Sequence, residues 1–268
     1  DTSIFIKESS SASTEPDVFL LGLFLGIFLF SNTWDFMIYY VVICGTLFFG
    51  NLKRYLNSTD MRTGIKWSVV QWIELLLTAV LISLPFHLQF KSVMVQGIGI
   101  VKIHTAFYQF CVLWAFPLLI CGLFVVSTLI KNRNFTNKKT RNLFYKINVS
   151  DLYGVVLSLC AMGLILIPEI VYVRDIYEKT APRANTMFKL TYQAYILFAL
   201  MMSYILVFFV ADRIKILQET KLDNRYEKKV RLSKVQITVG GMAIILLIST
   251  CGYFVNATRS EERRVGKE

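Results

Sequence analysis

The side chains able to do chemistry in this sequence fall into a few polar groups set between long apolar runs. The densest group reads Pro168-Glu169-Ile170-Val171-Tyr172-Val173-Arg174-Asp175 and, after a short gap, Arg183-Ala184-Asn185-Thr186-Met187-Phe188-Lys189, with Gln193 beyond. Arg174, Arg183 and Lys189 can clamp a phosphate, and Glu169 or Asp175 can take a proton or hold a divalent cation such as Mg or Mn. Asn185 and Gln193 suit sugar hydroxyls, and Tyr172 adds an aromatic face with a hydroxyl. Glu169 and Tyr172 share a face if that segment is helical, and so do Lys189 and Gln193. The alternative is a solvated loop with internal salt bridges.

A second group is Asn32, Trp34 and Asp35, wedged between two apolar segments. An acid at a membrane interface can bind a cation or act as a base. Asn and Asp are equally the residues that cap helix N-termini. His87 and His104 read more readily as interface residues than as ligands, and no spacing for a zinc site is present. Glu74 falls within an apolar run and is expected to face other helices or a water-filled cavity. All five cysteines, Cys44, Cys111, Cys121, Cys160 and Cys251, lie in apolar runs without a CxxC pair and read as small buried hydrophobes. There is no phosphate-binding Gly loop, no H-E-x-x-H and no G-x-S-x-G.

The elements that must position these groups are membrane helices. The 268 residues are 55% hydrophobic and 18% charged, with a mean hydropathy of +0.53, which excludes a disordered chain, a disulfide scaffold and an ordinary cytosolic enzyme. Seven runs approach the roughly 20 apolar residues that cross a bilayer: 18–31, 36–50, 68–86, 107–130, 152–168, 190–211 and 236–255. The first two are short and close together, as in a tight helical hairpin or a partly re-entrant pair. The expected fold class is therefore all-α, a polytopic transmembrane bundle of about seven helices.

Net charge is +11, but the basic residues sit in short loops, where membrane proteins keep cytoplasmic charge; no nucleic-acid partner is expected. The loops after the second, fourth and sixth runs hold four, six and eight Lys and Arg, against six in the opposite loops, Lys91, Lys102, Arg174, Lys179, Arg183 and Lys189. By the positive-inside rule the first set is cytoplasmic and the polar motif loops face outward. Residues 1–17 form a polar, Ser-rich start that reads as the interior of a longer protein. Residues 259–268 break the composition and are expected to be a non-native tail, leaving 18–258 as the membrane domain.

Several of these stretches resemble one family. They are Asn32-Thr33-Trp34-Asp35-Phe36, Leu84-Pro85-Phe86, Tyr108-Gln109 with Leu113-Trp114 and Pro117, and above all Glu169-x-x-Tyr172-x-Arg174-Asp175 followed by Arg183-x-Asn185-Thr186-x-Phe188-Lys189-x-x-x-Gln193. Together they are similar to the YYY family of large hydrophobic membrane proteins, a domain of unknown function grouped with the GT-C superfamily of membrane glycosyltransferases. The resemblance runs from about residue 18 to about residue 255. It implies a GT-C-like fold and a polyprenyl-phosphate-linked sugar donor used on the extracytoplasmic face. It also implies that this chain matches the C-terminal part of the family domain. GT-C enzymes carry their principal acid after the first membrane helix, so that acid would lie outside this segment.

The expectation is then a piece of a membrane glycosyltransferase. Asp35, Glu169 and Asp175 would be the catalytic carboxylates, and Trp34, Tyr172, Arg174, Arg183, Asn185, Lys189 and Gln193 would bind substrate. Its other partner is the lipid bilayer. A transporter or lipid flippase predicts charged residues near the bilayer midplane, and the helix centres hold almost none. A non-catalytic scaffold predicts that the outer cluster is dispensable. Donor sugar, acceptor, metal and oligomeric state are not legible in the residues.

Overall fold

A computed structural model describes residues 16–56, 61–90, 97–132, 147–175 and 179–222, together with the isolated positions 245, 248 and 259. The expected seventh span, 236–255, lies outside the described residues apart from two of those positions. So do the start of the chain as far as residue 15 and the tail beyond Arg259.

The described chain is helical, with one small β-ribbon. In order it runs α1 (Pro16–Ser31), α2 (Thr33–Leu56), α3 (Met61–Gln89), β1 (Ile98–Ile100), α4 (Phe107–Asn132), α5 (Val149–Ile170), β2 (Val171–Val173) and α6 (Ala184–Leu222). Five of the helices are long and apolar enough to cross a membrane, and α1 is a shorter apolar helix. The chain is thus an all-α membrane helix bundle in class, as its hydropathy predicts. Elements divide into two compact units, α1 to α3 in the first and β1 to α6 in the second.

In the first unit, Pro16 opens α1 at a position where its missing N–H costs nothing, and Asp17 complements the positive end of the helix dipole. Only Asn32 separates α1 from α2. Its side-chain Oδ1 accepts from the Trp34 N–H (3.3 Å), and its Nδ2 donates to Asp35 Oδ2 (2.9 Å). The Asn32 bond to the Trp34 N–H is N-terminal capping of α2. α2 then extends to 24 residues, well past the expected 36–50. Gly22 lies against Thr78 and Gly26 against Ile82, so α1 and α3 run parallel. Asn51 Nδ2 bonds Ser68 Oγ (3.2 Å) and Gln71 Oε1 (2.7 Å), while Trp72 Nε1 donates to the Cys44 carbonyl (3.0 Å), which sets α2 antiparallel to α3. Gly22 and Gly26 form a G-x-x-x-G face that lets two membrane helices approach closely. Leu25, Leu75 and Ala79 close the core beside it. Glu74, in α3, is partly buried.

The second unit repeats the three-helix plan. Trp114 packs on Phe198 and Phe124 on Tyr204, so α4 and α6 run parallel. Gly154 meets Met201 and Phe124, and Tyr204 donates to Asp151 Oδ1 (2.7 Å), so α5 is antiparallel to both. This arrangement brings the start of α4, the end of α5 and the start of α6 to one end of the unit.

Candidate functional site

Helix α5 ends two residues after Pro168, and the chain turns directly into β2. A helix C-terminus leaves its last carbonyls without intrahelical donors. Here three successive carbonyls find donors from two other segments, the β1–α4 connection and the approach to α6. Arg183 Nη1 reaches the Pro168 oxygen (3.5 Å), His104 Nδ1 the Glu169 oxygen (2.9 Å) and the Val101 N–H the Ile170 oxygen (3.0 Å). A carbonyl only accepts, so His104 carries its proton on Nδ1, and its Nε2 is an acceptor when the ring is neutral. The Arg183 charge also sits at the negative end of the α5 dipole.

The Glu169 side chain lies at the centre of this end. Oε2 accepts from the Thr105 N–H (2.9 Å) and from Arg183 Nη1 (2.8 Å), and Oε1 accepts from the Thr105 hydroxyl. That hydroxyl in turn accepts from Arg183 Nη2 (3.0 Å). The side chains of Glu169 and Arg183 are 17% and 19% exposed, which is enough burial for the pair to matter and enough exposure to meet a ligand from outside.

The antiparallel ribbon holds these ends together. Ile98 pairs with Val173, Gly99 with Tyr172 and Ile100 with Val171. Gly97, at φ +103°, takes a conformation that favours glycine, and its carbonyl accepts from the Arg174 N–H (2.8 Å). A Cβ on Gly99 would lie 2.5 Å from the Tyr172 ring, so glycine there lets the tyrosine lie flat on the strand. Thr186, buried in the first turn of α6, accepts the Val173 N–H on its hydroxyl (2.9 Å), and Asn185 donates to Asp175 Oδ2 (2.8 Å).

Several residues expected at the site are therefore brought together. Glu169 and Arg183 are bonded to each other, Asp175 and Asn185 form a second pair, and Tyr172 lies on the ribbon with its ring over Gly99. Arg174 is exposed beside them, Lys189 is partly buried and Gln193 is buried one turn further along α6. Trp34 and Asp35 belong to the first unit, where Asp35 accepts from the side chain of Asn32, the residue that caps α2. Two details of the sequence reading are corrected. Glu169 and Tyr172 share no helical face, because the helix stops between them at Ile170. Asn185, Thr186 and Lys189 lie within α6 rather than in a loop, because that helix starts at Ala184 instead of 190.

Sequence reasoning missed Thr105, which supplies two of the bonds to Glu169, and the ribbon itself. The alternation in Gly97-Ile98-Gly99-Ile100-Val101 and the β-branched Ile170-Val171-Tyr172-Val173 were the available signals. Among the described residues no three His, Cys, Asp or Glu side chains gather into a group able to hold a metal ion. Glu169 fits that task poorly, since both its oxygens already face the Thr105 donors and a guanidinium. The described cysteines are free thiols, with Cys44 and Cys121 buried and Cys111 and Cys160 partly so.

Comparison with curated proteins and with solved structures gave no match. The sequence profile of one family, described as "Uncharacterized membrane protein (DUF2298)", matches residues 3–148 and 140–198, a stretch that takes in α1 to α5, the start of α6 and the Glu169–Arg183 pair. By that match the chain belongs to the DUF2298 family of uncharacterized membrane proteins.

Proposed function

We propose that this chain is part of a glycosyltransferase-like membrane protein that handles a polyprenyl-phosphate-linked sugar at the extracytoplasmic face. The observation supporting it is the convergence of Glu169, Arg183, Thr105 and His104 on one end of α4, α5 and α6. The basic-loop asymmetry supports an outward placement of that end, and the motif resemblance is what suggests a GT-C relationship. A GT-C-like fold and the YYY affiliation belong to the same proposal.

In this reading Arg174, exposed just after β2, and Lys189 meet the lipid phosphate together with Arg183. Glu169 keeps its role as an acid only if a ligand displaces Arg183. Asp175 and Asn185 offer a second carboxylate–amide pair for sugar hydroxyls, with Tyr172 and Gln193 nearby in sequence. Asp35 and Trp34 remain candidates within the first unit taken by itself. The residues present do not favour a divalent metal at Glu169.

One observation favours a non-catalytic scaffold as the second reading: the Glu169–Arg183 pair closes on itself and caps a helix. Transfer from radiolabelled polyprenyl-phosphate sugars, assayed in membranes holding the full-length protein, separates the two. Transfer lost in both Glu169→Gln and Arg183→Ala at unchanged expression supports the enzyme. Transfer insensitive to both moves the chemistry elsewhere. No transfer from any donor favours the scaffold or a lipid transporter.

A further inference from the structure

The β1–β2 ribbon has two unlike faces. On one, the Tyr172 ring covers Gly99. The other is formed by the cross-strand pairs Ile98 with Val173 and Ile100 with Val171, four β-branched apolar side chains in register. Ile98, Ile100, Ile103 and Phe107 are 70–82% exposed. A two-stranded ribbon is marginal in water by itself, and an open apolar face on it invites a partner.

Its position in the chain supplies the partner. Strand β2 begins at the residue after α5 ends, with no linker. The 22 residues of α5 are about 33 Å long, against a hydrocarbon core of roughly 30 Å, so a spanning α5 would bring Ile170 to the edge of that core. Three strand residues then span about 10 Å, comparable with the interfacial zone on one side of a bilayer. The same end of the unit carries exposed aromatic residues at the openings of two membrane helices, Phe107 and Tyr108 on α4 and Phe188 stacked on Tyr192 on α6. Of these, Tyr108 and Tyr192 are aromatic side chains with a polar tip, the type that collects at the headgroup level.

We infer that the β1–β2 ribbon lies in the lipid headgroup zone with its Ile98–Ile100 face turned into the bilayer. It is an interfacial anchor that holds the Glu169–Arg183 end of the bundle at the depth of lipid phosphates. The inference concerns lipid contact alone and does not depend on any transfer activity.

The test uses the full chain reconstituted in phosphatidylcholine vesicles. An environment-sensitive fluorophore is placed at Ile100→Cys, and at Lys179→Cys as an exposed control, with the native cysteines replaced by alanine. Lipids brominated near the glycerol end are expected to quench the Ile100 label at least about twofold more than lipids brominated at the chain terminus, as an interfacially buried face requires. Aqueous iodide should quench it less than the Lys179 label. Iodide quenching equal to that at Lys179 overturns the inference, because the face is then in water. Protection from both lipid and iodide also overturns it, because protein then covers the face. If the cysteine-free chain does not fold, the unmodified protein is labelled with a headgroup-borne diazirine lipid and with a water-soluble carbene reagent. Lipid adducts on the segment holding Ile98 to Phe107 are expected. Labelling there by the aqueous reagent alone, or by neither, overturns the inference.

Discussion

Replacing Arg183 by alanine tests the account of the α5 terminus most directly. The guanidinium makes two close bonds, to Glu169 Oε2 at 2.8 Å and to the Thr105 hydroxyl at 3.0 Å, and a longer one to the Pro168 carbonyl at 3.5 Å. A bond to a charged group contributes about 1.5–3 kcal/mol. Breaking a fully buried pair costs about 3–5 kcal/mol, and an exposed pair contributes about 0–1. With side chains 17% and 19% exposed, the pair falls between these limits. Glu169 keeps its two Thr105 donors after the substitution, which softens the loss. The expected cost is about 2 kcal/mol, equivalent to a drop of roughly 4–8 °C in the melting temperature of a protein of this size in mild detergent. Glu169→Gln should cost a similar amount, and in the double variant the two losses should fall short of additive by about 1–2 kcal/mol. Melting curves of the four proteins measure this. Strict additivity, or a change under about 0.5 kcal/mol in Arg183→Ala, would refute the pair as a structural element.

Gly99→Val should force the Tyr172 ring off the strand, because a Cβ there lies 2.5 Å from it. A loss of about 1–3 kcal/mol is expected from overpacking, restored in part by Tyr172→Ala, with thermal melts as the measure. Gly22→Leu and Gly26→Leu should each separate α1 from α3, since a Cβ at either position meets a β-carbon of α3 at 2.7 Å. A disulfide-trapping assay between α1 and α3 reports it, and unchanged trapping would contradict the packing. Asn51→Leu removes the bonds to Ser68 and Gln71 and should destabilise the first unit by about 0.6–2 kcal/mol in an SDS-unfolding titration.

How much of this was legible beforehand differs between residues for physical reasons. Asn32 and Asp35 were readable both as a site and as a cap, since the same side chains serve either. Only the structure shows Asn32 capping α2 through the Trp34 N–H and Asp35 bonded to the Asn32 side chain. Glu169 and Arg183 were legible as a polar cluster but not as a pair. Thr105 was invisible because a single threonine 64 residues away carries no pattern. The ribbon was missed because three-residue strands are too short to establish a period against the helical background.

The sequence by itself determined that the chain is a membrane helix bundle and roughly where its helices lie. Each span satisfies its own backbone hydrogen bonds and its own lipid contacts, so length and hydropathy suffice locally. The tertiary structure alone decided which helix ends meet. The carbonyls at the end of α5 have no intrahelical donors, and their partners at Val101, His104 and Arg183 come from segments that only folding brings near. The pairing of Glu169 with Arg183 rests on the same contingency, and no local rule of charge or spacing fixes it.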